Sequence, residues 1–183
     1  MPSATPAEAV AALLARGATV AGCESITGGM ICAALTSVAG SSQVVRGGLV
    51  TYATDLKTAL ARVDGSIVES CGVVSAEVAE AMAAGVREVC GADWGIGVTG
   101  VAGPGPSDGV PAGTVWLAVV GPDQRAVVEL GASGDRGAIR RQVVDGALGL
   151  LCRLLDGVPS HPAPPQDTLV ADAPGESQSG RVE

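Results

Sequence analysis

Ser25 stands in the run Glu24-Ser25-Ile26-Thr27-Gly28-Gly29, with apolar residues before it and the apolar run Met30 to Leu35 after it. Such a junction between a strand end and a helix start is where open α/β sheets place their ligands. A serine there can act as a nucleophile, with unpaired amides of the helix start stabilising the oxyanion. The plainer alternative is that Ser25 or Thr27 simply caps the helix. A serine nucleophile also needs a base. The single histidine, His161, falls in a Pro-rich segment, which sets a Ser-His-Asp arrangement aside. That leaves a carboxylate, Glu24 or Asp55, or a lysine made neutral by burial. The chain has ten arginines and one lysine, Lys57. Arginine is never deprotonated in proteins, so Lys57 is the one cationic side chain able to serve as a neutral amine. Its bland alternative is an ordinary surface lysine.

A second group of residues suits an anion. Arg136 and Arg140 are four apart behind Ser133-Gly134-Asp135 and share one face at a helix N-terminus. Positive charge opposes the helix dipole there, and a bound phosphate would reverse that cost. Pairing of Arg136 with a surface carboxylate is the alternative. The Gly/Pro-rich stretch 99–113 could wrap a ligand, but it lacks the Lys-Ser/Thr ending of a phosphate-cradling P-loop.

Composition narrows the classes. The 183 residues are 47% hydrophobic and 16% charged, enough for one globular domain with a sizeable core. A net charge of −8, two Trp, one Tyr and no Phe argue against a nucleic-acid partner, which needs a basic field and stacking platforms. No apolar run reaches a membrane span and no export signal opens the sequence, so a cytoplasmic protein without a membrane partner is expected. The five cysteines contain no C-x-x-C pair and read as reduced thiols, mostly core; neither a metal nor a cofactor site is expected.

Elements must position these residues. Thr5-Pro6-Ala7-Glu8 opens a capped helix that stops at Gly17. Ala18 to Cys23 reads as a buried strand and Gly28 to Val38 as a helix. Gln43 to Ala53 is strand-like, with Gly47-Gly48 marking a bulge or a close backbone approach. Thr54 caps a short helix carrying Lys57, and Ser75 caps a longer one, Ala76 to Cys90, closed by Gly91. Trp94 to Thr99, Gly113 to Val120 and Arg125 to Gly131 are strands, the last two joined at Gly121-Pro122-Asp123. Asp135 caps a final helix with Ile139, Val143, Ala147, Leu150 and Leu154 on one face. Helix–strand alternation followed by a hairpin predicts a single-domain α/β fold: a mixed β-sheet layered with helices, over residues 1–156. Residues 157–183, rich in Pro, Ser and acids, read as a disordered tail.

The ordered set Glu24-Ser25-x-Thr27-Gly28-Gly29, Gly40-Ser41, Thr51-Tyr52 with Lys57, Gly72-Val73-Val74-Ser75, Thr99-Gly100-x-x-Gly103-Pro104, Gly113-Thr114-Val115-Trp116 and Gly134-Asp135-Arg136 resembles one known family. It is similar to the C-terminal domain of competence/damage-inducible protein A, over about residues 5–156. Stand-alone members of that family act as nicotinamide-nucleotide amidases. The resemblance implies hydrolysis of the carboxamide of nicotinamide mononucleotide in pyridine nucleotide salvage, giving nicotinate mononucleotide and ammonia without metal or organic cofactor. It places the family's serine on Ser25, its lysine base on Lys57 and its tyrosine on Tyr52. Thr27, Gly28, Gly29, Ser41, Thr99, Gly100, Gly103, Arg136 and Arg140 would hold the nucleotide, the arginines at its phosphate. A homodimer or higher homo-oligomer is expected. Two departures stand out: Cys23, where relatives often carry a small residue, and Val110, where many carry a lysine. The molybdopterin-binding-like domain of longer relatives is not in this sequence, so its pyrophosphatase activity is not expected. The competing reading is an inactive nucleotide-binding or protein-interaction module linked to competence or DNA-damage responses.

Overall fold

The computed structural model describes residues 3–157. Five strands form one sheet: β1 (Val20–Glu24), β2 (Val45–Val50), β3 (Trp94–Gly100), β4 (Thr114–Val120) and β5 (Arg125–Gly131), in the order β2-β1-β3-β4-β5. β1 runs parallel to both β2 and β3, while β4 pairs antiparallel with β3 and β5 antiparallel with β4. The sheet is therefore mixed, as the alternation of elements predicts. β1 is buried along its whole length, as a parallel strand covered on both faces must be.

Helices α1 (Pro6–Leu14), α2 (Met30–Thr36) and α6 (Arg136–Asp156) cover one face. Leu13, Ile31, Leu35, Val143, Leu148 and Leu151 join Ile96, Leu117 and Val119 of the sheet in the main core there. On the other face lie α3 (Thr54–Ala61), α4 (Gly65–Cys71) and α5 (Ala76–Cys90), where Val78, Met82 and Val86 meet Ala21 and Cys23. α5 lies close against β3 because Gly95 and Gly97 carry no side chain; a Cβ on either would overlap the Ala83 or Ala79 carbonyl.

Local signals account for most boundaries. Thr5 and Glu8 form the reciprocal capping box of α1, Ser75 accepts from Val78 N–H at the start of α5, and Asp135 accepts from Ala138 N–H at the start of α6. The Gly47-Gly48 expectation holds in both senses. The β1–β2 register slips at Arg46, and a Cβ on Gly48 would collide with Cys32 Sγ. Two expectations differ. Thr54 is the first residue of α3 rather than its cap, since Ala53 holds the N-cap position with no side-chain bond. α4, capped by Asp64 accepting from Ser66 N–H, has no counterpart in the sequence reading; of its seven residues none is fully buried and only Ile67 and Val68 pack against the core, too few to show an apolar period. Apart from Gly157, the acidic tail lies outside the described residues.

Candidate active site

Strands β1, β2 and β3 point the same way, and the chain leaves β1 to one side for β2 and crosses back to the other for β3. That reversal beside β1 is the topological switch point at which α/β sheets open a crevice. Ser25 follows the last residue of β1, its N–H bonded to Val98 O at 3.1 Å. Thr51 follows β2 and bonds Glu24 O through its N–H at 2.9 Å. Thr99 lies near the end of β3, its hydroxyl donating to Val73 O at 2.9 Å. Three strand ends are thus tied together around one point.

Lys57 reaches that point from α3. It is 1% exposed, and its Nζ lies 3.2 Å from Ser25 Oγ and 3.0 Å from Thr51 O. Among the described residues no ion pair involves it. Burial therefore holds its pKa below the ordinary lysine value, and a Cys23 thiolate is the opposing influence. Cys23 is itself buried and pushed up to about 11, so at neutral pH it is an uncharged thiol and that opposition disappears. As a neutral amine, Lys57 would give one N–H to Thr51 O and turn its lone pair to the serine hydroxyl. The surface-lysine reading is overturned.

Glu24 holds the nucleophile's turn from behind. Fully buried, its carboxylate accepts from Gly29 N–H (3.0 Å), Ile31 N–H (3.0 Å) and Cys32 N–H (2.8 Å). Two sequence expectations change here. The amides at the start of α2 are already taken, so they do not receive an oxyanion, and Glu24, with both oxygens engaged, is not placed as a base. Asp55, the other carboxylate considered, is exposed and does not line the cavity. Neither Ser25 nor Thr27 caps α2, whose N-cap position is Gly29 in the left-handed region.

A cavity of about 420 Å3 opens above the pair, within the ~300–1,000 Å3 usual for small-molecule sites. Ser25, Tyr52, Lys57, Thr99, Gly100, Gly103 and Arg136 all line it. Tyr52 is 59% exposed at the rim, where Arg136 donates to its hydroxyl at 2.7 Å and to Gly103 O at 3.1 Å. Among the described residues Arg136 is thus tied to the cavity wall and not to a carboxylate. Thr27, Gly28, Gly29, Ser41 and Arg140 do not line the cavity. The first three form the turn behind Ser25. Ser41 begins a 3-10 turn after α2 and donates to Thr36 O at 3.5 Å. Arg140 is engaged with backbone carbonyls of the Ser25 turn. Sequence reasoning missed the Thr51 carbonyl and the role of Glu24. A backbone acceptor leaves no trace in residue identity, whereas a glutamate five residues before a helix's N-cap was a readable sign. Among the described residues no cluster of three His, Cys, Asp or Glu could hold a metal ion, and no helix is long and apolar enough to cross a membrane.

Over residues 3–155 the chain matches the family model described as the CinA C-terminal domain. It is 45% identical over 148 residues to a CinA-like protein of Frankia casuarinae, covering 81% of this chain and 34% of that protein. A CinA-like protein of Acidobacterium capsulatum is 48% identical over 141 residues, covering 76% and 34% respectively. The chain thus spans about a third of the length of these curated relatives. Among solved structures, a competence-damaged protein (CinA) superfamily protein from Klebsiella pneumoniae superposes with a TM-score of 0.80 at 32% identity, over 84% of this chain and 96% of that one. A competence/damage inducible protein from Agrobacterium tumefaciens gives 0.75 at 34% identity, over 84% and 99%. The family model matches most of the chain and the solved CinA structures superpose closely on it, and on that ground this chain belongs to the CinA C-terminal domain family.

Proposed function

We propose that this domain is an amidohydrolase that converts nicotinamide mononucleotide to nicotinate mononucleotide and ammonia through an acyl-enzyme on Ser25. The observation that carries the reading is the Lys57–Ser25 contact of 3.2 Å, made by a buried lysine with no carboxylate partner among the described residues, in the lining of a ligand-sized cavity. Lys57 takes the hydroxyl proton as Ser25 Oγ bonds to the carboxamide carbon. The tetrahedral adduct collapses with cleavage of the C–N bond, and Lys57 returns the proton to departing ammonia. Water then attacks the ester with Lys57 again as base, giving the carboxylate and free Ser25.

Two features favour a nucleotide amide over a bare one. Arg136 offers a guanidinium at the cavity wall, suited to a phosphate. Tyr52 brings an aromatic ring to the rim, where a positively charged pyridinium gains from a π face. Ammonia release from nicotinamide mononucleotide, compared with free nicotinamide, tests the reading. Ser25→Ala should abolish release while the thermal midpoint stays within a few degrees. Activity within a few-fold of the parent in Ser25→Ala would sink the mechanism. Binding of the nucleotide without ammonia release in the parent would favour the inactive-module reading.

A further inference from the structure

The turn Ser25–Gly28 closes with Gly28 N–H donating to Ser25 O at 3.2 Å. Arg140, from the second turn of α6, reaches it from behind. Its Nε donates to Ile26 O at 3.1 Å and its Nη2 to Thr27 O at 2.5 Å. The positive charge expected at the phosphate is thus spent on two successive backbone carbonyls more than a hundred residues away in sequence. Peptide planarity then sets the opposite side of the turn. In a trans peptide the N–H points away from the preceding carbonyl, so the Thr27 N–H leaves on the side away from Arg140. The Ser25 carbonyl faces Gly28, so the Ile26 N–H is turned away from that bond. Ile26 and Thr27 are 4% and 0% exposed, yet among the described residues neither N–H has a hydrogen-bond partner. Buried amides are nearly always paired, and two adjacent orphans in the turn that carries a nucleophile call for an acceptor.

From this geometry we infer that Arg140 is a positioning residue that locks the Ile26–Thr27 and Thr27–Gly28 peptides and so fixes the Ser25–Gly28 turn, in which the amide of Ile26, the residue of the two that lines the cavity, receives the oxyanion formed at Ser25. The inference rests on Ser25 being the nucleophile, as proposed above, and replaces the start of α2 as the source of that donor. Gly28 leaves room for the clamp: a Cβ there would stand 3.3 Å from Arg140 Nη2, at a φ of +58°.

The experiment compares Arg140→Ala, Arg140→Lys and Gly28→Ala with the parent in two assays. One is ammonia release from nicotinamide mononucleotide. The other is the rate at which a small alkyl fluorophosphonate labels Ser25, read by intact mass; a P–O bond forms, the P–F bond breaks, fluoride leaves, and Lys57 takes the hydroxyl proton. Labelling and kcat should both fall roughly 10- to 100-fold in Arg140→Ala, in the direction of a lost oxyanion donor, with KM within about threefold. Arg140→Lys keeps the charge but lacks the fork for two carbonyls, so it should fall between Arg140→Ala and the parent. Gly28→Ala crowds the guanidinium without removing it and should slow labelling too. Rates are taken per folded molecule, so a loss that only tracks unfolded protein overturns the clamp. Parent-like labelling in Arg140→Ala or Arg140→Lys overturns it as well, as does a parent whose Ser25 does not label. Because labelling reads Ser25 whatever the amide substrate, a parent that labels but releases no ammonia sinks the substrate assignment alone. Slower labelling in Arg140→Ala would still support the clamp in that case.

Discussion

Lys57 bears the greatest physical demand of any residue in the site. Burial disfavours its ammonium, and the two oxygens within reach, Ser25 Oγ and Thr51 O, carry no formal charge to offset that cost. The hydrolysis rate should therefore rise with pH through an apparent pKa below the ~10.4 of a free lysine. Stability must follow the same proton. Between the lowered folded pKa and ~10.4 the unfolded chain binds more protons than the folded one, so stability rises with pH across that window. Lys57→Met should remove both the kinetic pKa and that rise, read from denaturant midpoints at several pH values. Lys57→Arg keeps a positive charge but cannot accept a proton, so kcat should fall by roughly 10²–10⁴-fold, as in Lys57→Ala. An arginine variant that retained most of its activity would reduce Lys57 to a substrate-attracting charge.

At the scale of elements, α3 places Lys57 and α5 places α3. The two helices touch where Gly85 of α5 meets Ala61 of α3, so closely that a Cβ on Gly85 would overlap the Ala61 carbonyl. Ala61 is one turn beyond Lys57 on the same face. Gly→Ala in a helix interior ordinarily gains about 0.5–1 kcal/mol. Forcing backbone apart in a packed core costs about 1–3 kcal/mol, and a carbonyl cannot rotate away as a side chain can. The collision should win. Gly85→Ala is expected to lower stability by about 1–2 kcal/mol and to cut kcat at least tenfold by drawing Lys57 off Ser25; unchanged kcat in a destabilised variant would show that α3 does not depend on this contact. Gly85 also marks the limit of what the sequence reveals. Strands β3, β4 and β5 and the caps Thr5, Ser75 and Asp135 were legible from local residue type, and the Ser25/Lys57 pair from the scarcity of lysine together with the family resemblance. The contact of Gly85 with Ala61, the Thr51 carbonyl and the diversion of Arg140 from phosphate to backbone were not. They follow from how distant elements meet, and a glycine or an arginine reads the same whichever partner it finds.

The whole molecule is a sheet whose three parallel strands end at one crevice, with an antiparallel hairpin extending the side opposite β2. The core that supports this arrangement runs to the last turn of α6. Leu148, Leu150, Leu151 and Leu155 are all 2% exposed or less, and Arg16 of the α1 end donates to Leu155 O at 2.7 Å. Each buried leucine removed from such a core costs about 2–5 kcal/mol, against a total stability of about 5–15 kcal/mol for a domain. The position of a C-terminal cut should therefore matter sharply. Ending the chain after Gly157 keeps every cavity-lining residue and the whole of α6, so ammonia release and thermal midpoint should stay close to those of the full chain. Ending it after Ala147 removes four core leucines and should abolish cooperative unfolding, read by calorimetry. A large loss on removing only residues 158–183 would mean that the acidic segment docks on the domain or completes the site.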